Sequence, residues 1–143
     1  MTLPDLLRLL AVPVFAWAAW QDVETRRVPG WIWYPLLALG AVLLLWDWVA
    51  LPPDPFSRRR FLFLVGISVL LMGAMGFGFW YFGLLGGADA KAFLTLGVLF
   101  PISPAYAVGS LVFPLVRPPA ELFSLSILTD AVLLGFVVPL ALF

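Results

Sequence analysis

Two aspartates stand beside apolar stretches long enough to be membrane helices. Asp22 lies in Trp20-Gln21-Asp22-Val23-Glu24-Thr25-Arg26-Arg27-Val28-Pro29, and Asp89 in Gly86-Gly87-Ala88-Asp89-Ala90-Lys91. Charge beside hydrocarbon is costly to hold, so a carboxylate pair there invites a functional reading. Two carboxylates within hydrogen-bonding distance do not readily both ionise, which leaves one as an acid and the other as a base. Such a pair can activate water. The ionised member takes a proton from water as it attacks a peptide carbonyl, and the protonated member donates to the developing oxyanion or the leaving amine. Sequence does not assign the two roles, and the pair would titrate as a unit.

Each aspartate also has an ordinary structural explanation. Asp89 follows a Gly-Gly-Ala turn and suits a helix cap. If the first helix continues past Trp20, Asp22 and Arg26 stand four residues apart and can form an interfacial ion pair. Gly86, Gly87 and Ala88 carry little bulk, so a substrate strand can approach Asp89 closely there. Lys91 and Arg26 are further candidate neighbours of the site. Lys91 points to the opposite side of a helix from Asp89 and suits snorkelling to the interface. Arg26 and Arg27 have lipid phosphate, topology and substrate contact open to them.

Composition sets the environment of these groups. Of 143 residues, 64% are hydrophobic and 11% charged, and the mean hydropathy is +1.09, values of an integral membrane protein. The formal net charge is zero, with eight basic and eight acidic residues, so no basic face attracts nucleic acid. There is no cysteine and no histidine, which removes disulfides, thiol nucleophiles, thiolate metal sites and the commonest general base. Carboxylates are left to do chemistry, with no metal or organic cofactor expected. The apolar start carries Asp5 and ends in Trp20, unlike a cleaved secretory signal, and is expected to be a retained helix.

A hydrocarbon core about 30 Å thick needs roughly 20 apolar helical residues. On that measure the chain divides into an all-α bundle of five spans, or six if one is missing. These are Leu3 to Trp20 with a kink at Pro13, Trp31 to Ala50, Phe61 to Phe82, Ala90 to about Leu115 interrupted by Pro101 and Pro104, and Phe123 to Phe143. The fourth reads equally as a short helix plus a re-entrant piece. Trp31, Trp33, Tyr34, Trp46 and Trp48 suit the two interfaces, and Leu51 to Arg60 reads as an aqueous turn. Gly73 and Gly76 suit close packing against a neighbouring helix. Asp47 reads as a solvated edge residue, and Asp130, inside the fifth span, as protonated or paired across helices. All 143 residues read as one membrane domain, with an apolar C-terminal end that suggests a short one. If the second and third spans both cross, Asp22 and Asp89 share a membrane face. Arg26, Arg27 and Lys91 oppose Arg58, Arg59, Arg60 and Arg117 across the bilayer, so charge alone leaves orientation open.

Taken together, Asp-x-x-x-x-Arg-x-Pro before an aromatic-rich helix and Gly-Gly-Ala-Asp-Ala-Lys a helix pair later resemble the prepilin peptidase family of membrane aspartic proteases. The likeness is to its short archaeal preflagellin and prepilin members and covers roughly residues 15 to 100. It implies a multi-pass cell-membrane protease that removes the leader of prepilin or preflagellin (archaellin) precursors at the cytoplasmic face, with Asp22 and Asp89 as its catalytic positions. Ala88 stands where the family usually has its second glycine. The cysteine-rich segment of bacterial relatives has no counterpart, which implies a peptidase without methyltransferase activity.

Two other classes compete. A small proton- or ion-coupled transporter would use Asp22, Asp89 and Asp130 as a relay, but two aspartates on one face make a poor path, and no duplicated halves are evident. A non-enzymatic scaffold subunit explains the glycines of the third span and leaves the paired motifs as coincidence. A metal enzyme has too few oxygen ligands.

Overall fold

A computed structural model describes residues 2–108, 110–114 and 121–142. The helices are α1 (Leu3–Arg8), α2 (Ala11–Thr25), α3 (Trp33–Ala50), α4 (Pro55–Tyr81), α5 (Gly87–Leu99) and α6 (Phe123–Leu142). A 3₁₀ turn, Gly30–Ile32, leads into α3, and a small hairpin of β1 (Tyr106–Val108) and β2 (Leu111–Phe113) comes after α5. The chain is a helical membrane bundle. Among the described residues, Leu3–Thr25, Gly30–Ala50 and Pro55–Tyr81 are long and apolar enough to cross a bilayer.

The first span divides between α1 and α2 at Leu9 and Leu10. Pro13 has no N–H to offer the Leu9 carbonyl and its ring crowds that turn. The backbone tightens there: Leu10 N–H donates to the Leu7 carbonyl at 3.1 Å, and Val12 N–H to that of Leu9 at 3.1 Å. Thr2 caps α1, accepting from the Asp5 N–H at 3.3 Å, while the Asp5 carboxylate accepts from the Thr2 hydroxyl at 2.6 Å. At its other end α2 runs beyond the expected Trp20, to Thr25. It stops where Arg26 turns left-handed, with φ of 51°, and donates its N–H to the Asp22 carbonyl at 2.8 Å.

The expected aqueous turn from Leu51 to Arg60 is shorter than its composition suggests. Asp54 accepts from the Ser57 N–H at 2.7 Å and Pro55 takes the first helical position, so α4 starts there and the three arginines belong to the helix. At 27 residues α4 is about 40 Å long, enough to hold its first turns outside the hydrocarbon. Arg58 stacks over the Trp48 ring at 5.3 Å, and Arg60 pairs with Glu121.

The fourth expected span is where the structure departs most. α5 has 13 residues, about 20 Å of helix, too short to cross. Pro101 and Pro104 prevent its continuation. Beyond them the chain forms the antiparallel hairpin, pairing Tyr106 with Phe113 and Val108 with Leu111, a small exception to the all-helical expectation. The Leu115 end of that span, the Arg117-Pro118-Pro119 turn and Phe143 lie outside the described residues.

α5 packs chiefly on α4 and α3. A Cβ on Gly76 would approach the Ala90 carbonyl oxygen and the Phe93 Cβ to 2.9 Å, and one on Gly97 would approach the Met72 Cβ to 2.9 Å. These two glycines set the α4–α5 separation, whereas a Cβ on Gly73 would meet only the Leu94 side chain, at 3.6 Å. Ser68 of α4 donates to the Gly97 carbonyl at 2.8 Å and shares a 2.7 Å hydrogen bond with Ser124 of α6. The core gathers Ala11 and Ala18 of α2, Trp33, Leu36 and Leu43 of α3, and Leu99 and Phe100 at the end of α5.

At the end of the bundle away from Asp22, Arg8 is buried at 5% exposure. It pairs with Asp5 at 3.1 Å and with Asp47 of α3, and its Nε donates to the Leu99 carbonyl at 2.8 Å. Asp47 is therefore an ion-pair partner of a buried arginine rather than a solvated edge residue. Asp130 lies on the exposed face of α6 with no partner among the described residues, so of the two expected states, protonated or paired across helices, the pairing is not formed there. Trp31, Tyr34 and Trp46 are exposed, as interfacial residues should be, but Trp33 is buried.

Asp47→Ala leaves the guanidinium short of one carboxylate and is expected to cost about 2 kcal/mol or more in unfolding measured in detergent micelles. The Ser57 backbone N–H, and then its hydroxyl, hold the Asp54 carboxyl below the ordinary aspartate value of 3.8. A depressed folded value means the cap's stabilisation is fully present above 3.8 and is lost as pH falls through the lower folded value. Asp54→Ala should thus lower the unfolding temperature at neutral pH, and the gap to the parent should close in strongly acidic buffer.

Candidate active site

The C-terminal turns of α2 and the N-terminal turns of α5 meet at one end of the bundle, and between them lies a cavity of about 230 Å³. Asp22 and Asp89 both line it. The remaining α2 wall is Phe15, Ala18 and Ala19, seven, four and three residues before Asp22, one helical stripe ending at the carboxylate. Ala92, one turn after Asp89, continues the α5 wall, and Val28 and Trp33 close the side between α2 and α3. Phe15 and Trp33 pack ring to ring with centroids 5.2 Å apart. Three alanines keep the space open where larger side chains would fill it.

Asp22 is exposed and Asp89 half-buried, so water reaches the cavity. Asp22 has no side-chain hydrogen bond or ion pair among the described residues; the expected Asp22–Arg26 interaction is instead the backbone bond that ends α2. Asp89 is the third residue of α5, and its Oδ2 accepts from the Gly86 N–H at 3.0 Å. That is the carboxylate half of a capping box, and Gly86, having no side chain, cannot supply the other half. The cap holds the Asp89 side chain in place through one oxygen.

The structure separates the remaining candidates from the cavity wall. Gly86 has φ of −71°, an extended conformation open to any residue; its contribution is room, since a Cβ there would come within 3.3 Å of Asp89 Oδ2. A Cβ on Gly87 would make an ordinary 3.6 Å contact with Trp80. Ala88 is half-buried and does not line the cavity, and Arg26 is exposed. Lys91 turns away from it, its ammonium 5.7 Å from the Tyr34 ring centre and against Gly30. Sequence reasoning missed Phe15, Ala18, Ala19 and Ala92, although 3.6-residue spacing from the two aspartates points to all four. It also assigned Trp33 to the membrane interface. Among the described residues no group of three or more acidic side chains is arranged to hold a metal.

Two carboxylates thus line one small water-accessible cavity at one end of a helical membrane protein. The profile of the type IV leader peptidase family matches residues 9–140, and the chain belongs to that family. It is a membrane peptidase of the leader-removing kind. No curated protein and no solved structure matches it.

Ala19 is exposed on the cavity rim, where a larger side chain burdens folding little. Ala19→Leu is therefore expected to leave the unfolding temperature near the parent's while lowering kcat/KM for leader removal about tenfold or more, through displaced substrate.

Proposed function

We propose that this chain is a multi-pass aspartic endopeptidase that removes the leader of type IV prepilin or preflagellin precursors at the cytoplasmic face, with Asp22 and Asp89 as its catalytic pair. The observation that carries the reading is that these two carboxylates, brought by α2 and α5 from distant parts of the sequence, line one cavity.

In this reading, one carboxylate takes a proton from a water held between them. The water oxygen bonds to the scissile carbonyl carbon, whose oxygen is protonated by the other carboxylic acid to give a neutral tetrahedral diol. Collapse re-forms the carbonyl, breaks the C–N bond and passes a proton to the departing amine. The new ends are a carboxyl on the leader and an amine on the mature protein. The Asp89 cap limits rotation of one carboxyl, and fixed geometry of this kind lowers the barrier.

Family membership makes prepilin-type precursors the natural substrates. They carry an apolar helix after the leader, and membrane lipid holds that helix beside the peptidase. All 143 residues act as one domain in this reading. A relay across the bilayer is disfavoured, because the two aspartates share one end of the bundle and Asp130 lies on the exposed face of α6.

The test is cleavage of a model prepilin-type precursor in membranes by the intact chain, beside Asp22→Asn and Asp89→Asn. Each substitution should lower the rate by at least about 100-fold, the scale of a lost general acid or base, with insertion and expression unchanged. Cleavage that survives either substitution defeats the proposed pair.

A further inference from the structure

Trp33, a wall residue of the aspartate cavity, carries behind that wall a polar group that the two carboxylates do not explain. Trp33 is 3% exposed, and its Nε1 is buried with no hydrogen-bond partner among the described residues. An indole N–H can only donate. Leaving such a donor unpaired away from water costs stability, and native proteins pair the great majority of buried polar atoms. The packing of Trp33 against Phe15 uses the carbon surface of the ring and gives the N–H nothing to do.

The position of the ring is well defined. Trp33 is the first residue of α3, delivered by the Gly30–Ile32 turn, and Phe15, another wall residue, packs against it at 5.2 Å. An idle donor on a residue that lines the same cavity as two carboxylates lacks one thing, an acceptor. A peptide entering the cavity brings carbonyl oxygens. If water adds to one of them, that oxygen gains negative charge and draws a donor more strongly than before.

We propose that Trp33 binds the substrate peptide, its Nε1–H donating to a backbone carbonyl of the leader segment next to the aspartate pair. The inference rests on the reading of Asp22 and Asp89 as a proteolytic pair. The N–H is closed off from water, so solvent does not satisfy it and its pairing is reserved for a peptide that parts the apolar wall on entry. Trp33 is in that event a substrate-contacting residue and not only packing.

The decisive variant replaces Trp33, in the full-length chain, with 3-benzothienylalanine, which keeps the bicyclic shape and exchanges the N–H for sulfur. A companion carries 7-azatryptophan at the same position and keeps the N–H. Steady-state cleavage of a model prepilin-type precursor and thermal unfolding in micelles are measured for both. The benzothienyl protein should lose about tenfold in kcat/KM, the value of one hydrogen bond, with an unfolding temperature equal to the parent's or higher. The azatryptophan protein should stay within about twofold of the parent, because its donor is intact. Unchanged kcat/KM in the benzothienyl protein overturns the inference. So does a fall in both activity and unfolding temperature, which would make the N–H a structural donor, and so does an equal loss in the azatryptophan protein. If the parent itself cleaves nothing, the aspartic peptidase reading fails and this inference falls with it; if the parent cleaves and Asp22→Asn does not, any failure belongs to Trp33 alone.

Discussion

The buried guanidinium of Arg8 is the constraint on which the bundle is organised. A charge at 5% exposure cannot be left unpaired in a largely apolar protein, and the chain meets that demand from three directions. Asp5 reaches it from the same short helix, Asp47 from the end of α3, and the Leu99 carbonyl from the last turn of α5. Three segments far apart in sequence are thereby fixed to one point at the end of the molecule opposite the candidate site. Leu99 is itself part of the apolar core with Leu43 and Phe100, so the polar knot and the hydrophobic packing hold the same residues. With that end fixed, the helices bearing Asp22 and Asp89 have a defined relation at the other.

Above the knot, the spacing of helices is set by what is missing. Gly76 and Gly97 let α4 and α5 touch backbone to side chain, and Ala18, Ala19 and Ala92 keep side chains out of the space between the aspartates. The same economy of bulk therefore produces contact on one face of α5 and a cavity on another. Without close α4 packing, the short α5 would have little to hold it, since hydrophobic burial does not drive helices together within lipid as it does in water.

Much of this arrangement was legible in the residues. Hydropathy located the long helices, Pro13 announced the break between α1 and α2, and the two aspartate motifs pointed to the two carboxylates that line the cavity. The local features that failed have physical reasons. Asp54 and Pro55 are start signals strong enough to pull Arg58, Arg59 and Arg60 into a helix that their charge seemed to forbid. The hairpin after α5 has short apolar strands that periodicity cannot distinguish from a membrane segment. Asp47 and Trp33 were misread because their surroundings come from other helices: an arginine 39 residues away for the first, and the ring of Phe15 for the second. No window along the chain contains that information.

The brevity of α5 leaves its placement to contacts at its two ends. Its foot is fastened where Arg8 holds the Leu99 carbonyl, and its head, where Asp89 sits about 15 Å away along the axis, rests on Gly76 through Ala90 and Phe93. A tilt of about 5° around that foot carries the carboxylate through roughly 1 Å, a distance on which the rate of an enzyme reaction turns. A helix that spanned the bilayer would be clamped by lipid and neighbours along its whole length. This one is too short for that, so the gap between the two aspartates is set by its packing on α4 and α3 and not by the bilayer.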